Sequence, residues 1–259
     1  MSEPLLSLQD VSVGYGSKVV VSGVSFQVRA GEFCALLGLN GSGKTTLLKS
    51  VCGLLPLLSG SCLAGGVDCT QLTEYRRARH ISYIPQRHSK LLGVSVLDAV
   101  MMGHYSKLGV LEYPTRENRQ VAYEALEKMS MSHLAGEDFS RLSEGQKQMV
   151  ILARTLVQST PVTLMDEPDS ALDFLNRRKM LGVVRGLIHS EGKAGLVTLH
   201  EPGLAIEYCD YLVLIHGGKV IADLRLATAS PAEIEECLSQ IYGKITALEH
   251  KGRYVVLSD

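Results

Sequence analysis

Short apolar runs broken by glycine turns open the chain. Leu5–Val13, Val19–Val28 and Glu32–Leu37 are rich in Val, Leu and Phe, with Gly14/Gly16 and Ala30-Gly31 between them, so three strands are expected. Over Lys44–Cys52 the apolar spacing becomes helical. Residues 58–85 mix strand and turn and end in a strand at His80–Ile84. From Val94 to Gln158 the pattern predicts helices over Val96–Gly103, Glu117–Met129 and Gly145–Gln158. Alternation then resumes with Val162–Met165, a helix over Leu172–His189, and Ala194–Leu199, Tyr211–Ile215 and Lys219–Ala222. Val162–Met165 and Gly195–Leu199 are almost wholly apolar, as parallel strands covered on both faces must be. Ser230-Pro231-Ala232-Glu233 combines a capping box with proline at the first helical position, and predicts a helix to about Gln240. Lys244–Leu257 alternates like a hairpin turning at Lys251-Gly252. A block of helices inside a β/α alternation describes an α/β fold with an inserted helical lobe.

Composition narrows the partners. The 259 residues carry 26 Lys+Arg against 27 Asp+Glu, a formal net charge of −1, which provides no positive field for a nucleic-acid backbone. No apolar run approaches the ~18 residues of a membrane span, and the first residues have neither a basic segment nor a cleavage site, so a cytoplasmic chain without a secretory leader is expected. The six cysteines form no CxxC pair and no zinc spacing, and read as reduced thiols.

Candidate chemistry is concentrated in three places. Gly38-Leu39-Asn40-Gly41-Ser42-Gly43-Lys44-Thr45 matches G-x-x-x-x-G-K-[ST] between an apolar strand and a helix. Three glycines in six residues let phosphate reach backbone N–H groups at a helix N-terminus. Lys44 can reach the β- and γ-phosphates and the Thr45 hydroxyl can ligate Mg²⁺; Thr46 is counted with the same ATP loop. Asp166 and Glu167 stand at the C-terminal end of an apolar strand, where parallel sheets bind ligands. Asp166 would hold Mg²⁺ directly or through water, and Glu167 would polarise the water that attacks the γ-phosphate. Finally, Leu142-Ser143-Glu144-Gly145-Gln146 precedes a helix, with Ser143 and Gln146 spaced as a capping box. The helix N-terminus there would present Ser143 and the Gly145 N–H to an anion.

Together these pieces resemble the nucleotide-binding subunit of ABC transporters, whose LSGGQ signature is Leu-Ser-Glu-Gly-Gln here. The resemblance runs over nearly the whole chain. It implies a RecA-like P-loop NTPase core (1–86 and 159–229) with an N-terminal antiparallel β-subdomain, an inserted helical signature subdomain (87–158) and a C-terminal helix and hairpin (230–259). Tyr15 looks like the aromatic residue that stacks on adenine, Gln86 like the Q-loop glutamine that approaches Mg²⁺, Asp173 like the D-loop aspartate and His200 like the switch histidine at the γ-phosphate. The family further implies ATP hydrolysis by two subunits paired head to tail, so that Ser143, Gly145 and Gln146 cover the ATP held by the partner. That partner would be a second copy or a paralogous ATPase. Two positions depart from the family: Glu144 replaces the first signature glycine, and Glu201 follows His200 where Asp is commoner.

One ATP site set without a coiled-coil insert argues against fused exporters, ribosomal ABC proteins and chromosome-maintenance ATPases. Tyr83-Ile-Pro-Gln86, Val94–Gly103 and Ile241-Tyr-Gly-Lys-Ile245 look most like the ATPases of iron-siderophore, haem and cobalamin importers. That implies transmembrane permease partners, a substrate-binding protein and a peripheral place on the cytoplasmic face of the membrane. Val94–Met102 is either the face that docks the permease or a buried helix face. A soluble ABC ATPase of iron–sulfur cluster assembly is the alternative, and a nucleotide switch without turnover is disfavoured by the presence of Glu167 and His200.

Overall fold

The computed structural model describes residues 3–86, 91–109, 111–250 and 253–258. Strands β1 (Pro4–Tyr15) and β2 (Lys18–Arg29) form an antiparallel hairpin. Strand β3 (Phe33–Leu37) leads into helix α1 (Lys44–Val51), and β4 (Leu57–Ala64) returns to the other edge of β1 with the short β5 (Val67–Asp68) beside it. Helix α2 (Glu74–Arg77) and strand β6 (Ile81–Ile84) follow.

Helices α3 (Val96–Met101), α4 (Arg116–Lys128) and α5 (Glu144–Gln158) then pack on one another. Both α4 and α5 start at complete capping boxes, Thr115 with Asn118 and Ser143 with Gln146. The rest of the chain is β7 (Val162–Asp166), α6 (Phe174–Ser190), β8 (Ala194–Thr198), α7 (Pro202–Tyr208), β9 (Tyr211–His216), β10 (Lys219–Arg225), α8 (Pro231–Tyr242) and the hairpin β11 (Ile245–His250) and β12 (Arg253–Ser258). The turn expected at Lys251-Gly252 lies outside the described residues, as do residues 87–90 at the start of the expected helical lobe.

Two sheets result. The order β2-β1-β4-β5 is antiparallel; the order β10-β9-β3-β8-β7-β6 is parallel from β9 to β6, with antiparallel β10 at its edge. All five residues of β3 are buried, and their side chains alternate between two apolar clusters. Phe33, Ala35 and Leu37 face the cluster shared with α3–α6, whereas Cys34 and Leu36 face α1 and the antiparallel sheet.

Two expectations change. The docking alternative for Val94–Met102 is not supported, because Val96, Leu97, Ala99 and Val100 are buried against α4 and α5, and Asp98 alone in that stretch is exposed. Between His200 and Tyr211 the pattern predicts no element, yet α7 forms; at seven residues it is too short to show a period, although Pro202 at its first turn is a start signal. All six cysteines are free, and burial pushes the Cys62 thiol up to about 12, which keeps it protonated and inert.

Candidate active site

The loop 38–43 joins β3 to α1, and β2 runs beside it. Gly43 caps α1 at φ 98°, and a Cβ there would lie 2.2 Å from Val21 Cγ2, so both backbone conformation and space require glycine. Asn40–Thr46, with Val20 and Glu167, line a cleft of about 160 Å³. Lys44 is 5% exposed, and its Nζ donates to the carbonyls of Gly38 (2.7 Å) and Leu39 (3.2 Å). Burial lowers its pKa from the ordinary lysine value, while Glu167 and Asp166 oppose that shift. The ammonium is therefore held at the loop by carbonyls and nearby carboxylates.

The parallel register brings the ends of β7 and β8 together. Asp166, 1% exposed, accepts from three hydroxyls: Thr45 Oγ1 (2.9 Å) and Thr198 Oγ1 (3.1 Å) at Oδ1, and Tyr83 OH (3.2 Å) at Oδ2. Burial, ahead of the Asp166 charge, raises the Tyr83 phenol above its ordinary value, so it remains a donor. The Thr45 hydroxyl and Asp166 carboxylate thus converge beside the phosphate loop as hard oxygen donors, a set that fits Mg²⁺. Among the described residues no group of three or more His, Cys, Asp or Glu could hold a metal, so its remaining ligands would come from nucleotide and water.

Glu167 adopts φ 47°, a left-handed conformation unusual for a residue with a side chain, at the exit of β7. Its N–H donates to Thr198 Oγ1 (2.7 Å), which holds the turn. Its carboxylate is 12% exposed; Oε1 lies 2.8 Å from His200 Nε2 and Oε2 accepts from Gln86 Nε2. Gln86 and His200 therefore meet at Glu167, in a geometry that can polarise a water and orient the base.

Ser143, Gly145 and Gln146 lie elsewhere. Ser143 Oγ accepts from Gln146 N (3.2 Å) and Gln146 Oε1 accepts from Ser143 N (2.9 Å), while Lys147 Nζ sits 2.7 Å from Glu144 Oε1. With Asp173 they line a separate cleft of about 340 Å³ that shares no residue with the phosphate-loop cleft. Asp173 caps α6, accepting from Asn176 N at 2.9 Å. Tyr15 is exposed at the tip of the β1–β2 hairpin and lines neither cleft. Neither Thr198 nor Tyr83 has a role that the sequence alone assigns. A hydroxyl in the apolar run of β8, two residues before His200, was the available signal.

Residues 21–170 match the ABC transporter family. An iron chelatin transport ATP-binding protein of Helicobacter pylori is 34% identical over 254 residues, 97% of this chain and 98% of that one. The hemin import ATP-binding protein HmuV of Vibrio cholerae is 35% identical over 240 residues, 91% of this chain and 90% of that one. A solved structure described as an inward-facing conformation of a metal-chelate type ABC transporter superposes with a TM-score of 0.81 at 25% identity, covering 99% of both chains. With more than half of its residues matched by that family and relatives of 34% and 35% identity aligned over nine-tenths or more of both chains, this chain belongs to the ABC transporter ATP-binding family and is an ATPase.

Proposed function

We propose that the chain is the ATPase of an importer for an iron complex, siderophore or haem, or for cobalamin, and that it works as a head-to-tail pair. The observation that carries the pairing is the separation of the two clefts: the phosphate loop and the signature residues of one chain share no lining residue. A second copy or a paralogous ATPase would bring Ser143, Gly145 and Gln146 over the ATP held by Lys44 and Gly38–Thr46, with Tyr15 on the adenine. Residues 1–86 and 159–229 serve as the nucleotide-binding core, 87–158 as the signature subdomain and 230–259 as the C-terminal helix and hairpin.

Within the site the loop N–H groups and Lys44 bind and orient the phosphates. Thr45 and Asp166 would hold Mg²⁺, with Gln86 approaching it from its place on Glu167; the cation supplies charge neutralisation at the phosphates. Glu167 takes the proton of the attacking water, and His200, 2.8 Å away, orients that carboxylate and the γ-phosphate. ATP binds the closed pair better than the open one, and that difference in affinity drives the coupled permease.

Iron chelatin and hemin transport are the activities named for the two relatives, which favours import over iron–sulfur cluster assembly. No helix among the described residues is long and apolar enough to cross a membrane, which fits a peripheral subunit at the cytoplasmic face whose permease and substrate-binding protein are separate chains. Replacing the native gene by a Lys44→Ala allele and measuring uptake of labelled ferric siderophore, haem and cobalamin tests this. Loss of one uptake is expected. Unchanged uptake of all three, with falling iron–sulfur enzyme activities, would shift the reading to cluster assembly.

The Glu144 side chain sits in the first turn of α5 and is paired to Lys147, so its charge is already partly balanced before a phosphate approaches. Glu144→Gly is expected to leave ATPase activity equal or higher, and to lower stability by about 0.5–1 kcal/mol through the lost dipole and pair contributions. Steady-state phosphate release and a thermal melt check both. A clear drop in rate would show that the glutamate is itself used.

A further inference from the structure

Three charged side chains beside the active site have no part in the chemistry above. Asp169 lies two residues after Glu167, in the turn leaving β7, and is 4% exposed. Its Oδ1 is buried without a hydrogen-bond partner, and burial raises its carboxyl above the ordinary value. Arg177, in the first turn of α6, places Nε 3.5 Å from Asp169 Oδ2, an ion pair in which the buried Nε makes no hydrogen bond. The same guanidinium pairs through Nη1 with Glu201, which directly follows His200 and stands at the N-cap position of α7 without a side-chain capping bond.

A buried carboxylate is costly unless a cation accompanies it. The planar fork of arginine can serve two carboxylates at once, which a lysine ammonium does less well. Here the two carboxylates belong to different loops, one carrying Glu167 and the other His200. The 2.8 Å Glu167–His200 contact spans those same loops. Apart from that contact and Arg177, the described hydrogen bonds joining them run through Thr198, to Glu167 N and Asp166 Oδ1. Arg177 lines neither the phosphate-loop cleft nor the signature cleft.

We infer that Arg177 is a positioning residue for hydrolysis: by bracing Asp169 and Glu201 it holds His200 against Glu167, and so sets kcat rather than nucleotide affinity. The inference rests on the roles proposed above for Glu167 and His200. It also accounts for the departure at position 201, where the longer arm of glutamate reaches Arg177.

Steady-state ATPase and binding of a fluorescent ATP analogue, measured for Arg177→Met, Arg177→Lys, Glu201→Gln and Glu167→Gln, test it. Arg177→Met is expected to lower kcat about tenfold or more while KM and nucleotide affinity stay within about twofold, since loosening a reacting pair leaves the binding loop intact. Arg177→Lys should recover part of the rate, because charge returns without the fork. Glu201→Gln should show a smaller loss of the same kind. Its side chain is 59% exposed, so this variant keeps its fold and decides the matter if Arg177→Met melts early. Parental kcat in both Arg177→Met and Glu201→Gln overturns the inference, as does a rate loss matched by an equal loss of nucleotide affinity. An active Glu167→Gln enzyme would instead bring down the catalytic reading beneath it. An inactive one beside a fully active Arg177→Met removes only the positioning role.

Discussion

Glu167→Gln is expected to abolish turnover and leave nucleotide binding intact. The substitution keeps the size and shape of the side chain, and its single amide oxygen can keep one of the two contacts that the carboxylate oxygens make with Gln86 and His200. It also keeps the left-handed backbone at φ 47° and the bond from its N–H to Thr198 Oγ1, because neither depends on the carboxylate. What it removes is a group able to accept a proton from water. General-base catalysis contributes about 10²–10⁴-fold, so phosphate release should fall by that order while ATP affinity stays within about twofold. An ATP-loaded pair that no longer hydrolyses should also accumulate as a dimer on size exclusion. Hydrolysis at the parental rate would end the assignment of Glu167 as the base.

Lys44→Ala should fail one step earlier, at binding. The residue is 5% exposed, and its ammonium is held by two carbonyls of the loop that it must serve. Exchange of those carbonyls for phosphate oxygens converts neutral acceptors into charged ones, and hydrogen bonds to charged groups contribute about 1.5–3 kcal/mol each. Loss of two such bonds would weaken ATP binding by about 10²–10⁴-fold. Because burial already disfavours the charged lysine, its removal should cost the empty fold little. Calorimetric titration with ATP and a thermal melt together separate lost affinity from lost structure. Parental affinity in Lys44→Ala would refute the role of the loop. The two variants are thus distinguished by where they act, one on kcat and the other on occupancy.

Local features were legible because their causes lie within a few residues. The loop 38–45, the capping boxes at Ser143 and Ser230 and the buried runs of β7 and β8 are all of this kind. The carboxylates at the end of β7 were readable too, since an almost wholly buried strand places its first charged residues at the ligand-binding end of a parallel sheet. Val94–Met102 was ambiguous because an apolar helical face looks the same whether it meets its own chain or another; only the packing of α4 and α5 on it resolved that. Helix α7 escaped because seven residues are too few to establish a period.

The groups that complete the site come from far along the chain. Thr45 meets Asp166 across 121 residues and Thr198 meets Asp166 across 32, and no spacing rule relates them. They converge because β3 lies next to β8 and β8 next to β7, a strand order set by burial of both sheet faces and not by local preference. The same order lets one arginine on α6 reach the loops after β7 and β8. By itself, then, the sequence determined the chemistry each segment offers, since glycine freedom, helix capping and strand burial act over a few residues. The tertiary structure alone decided which segments meet, because contacts between distant strands follow from packing the whole apolar core at once.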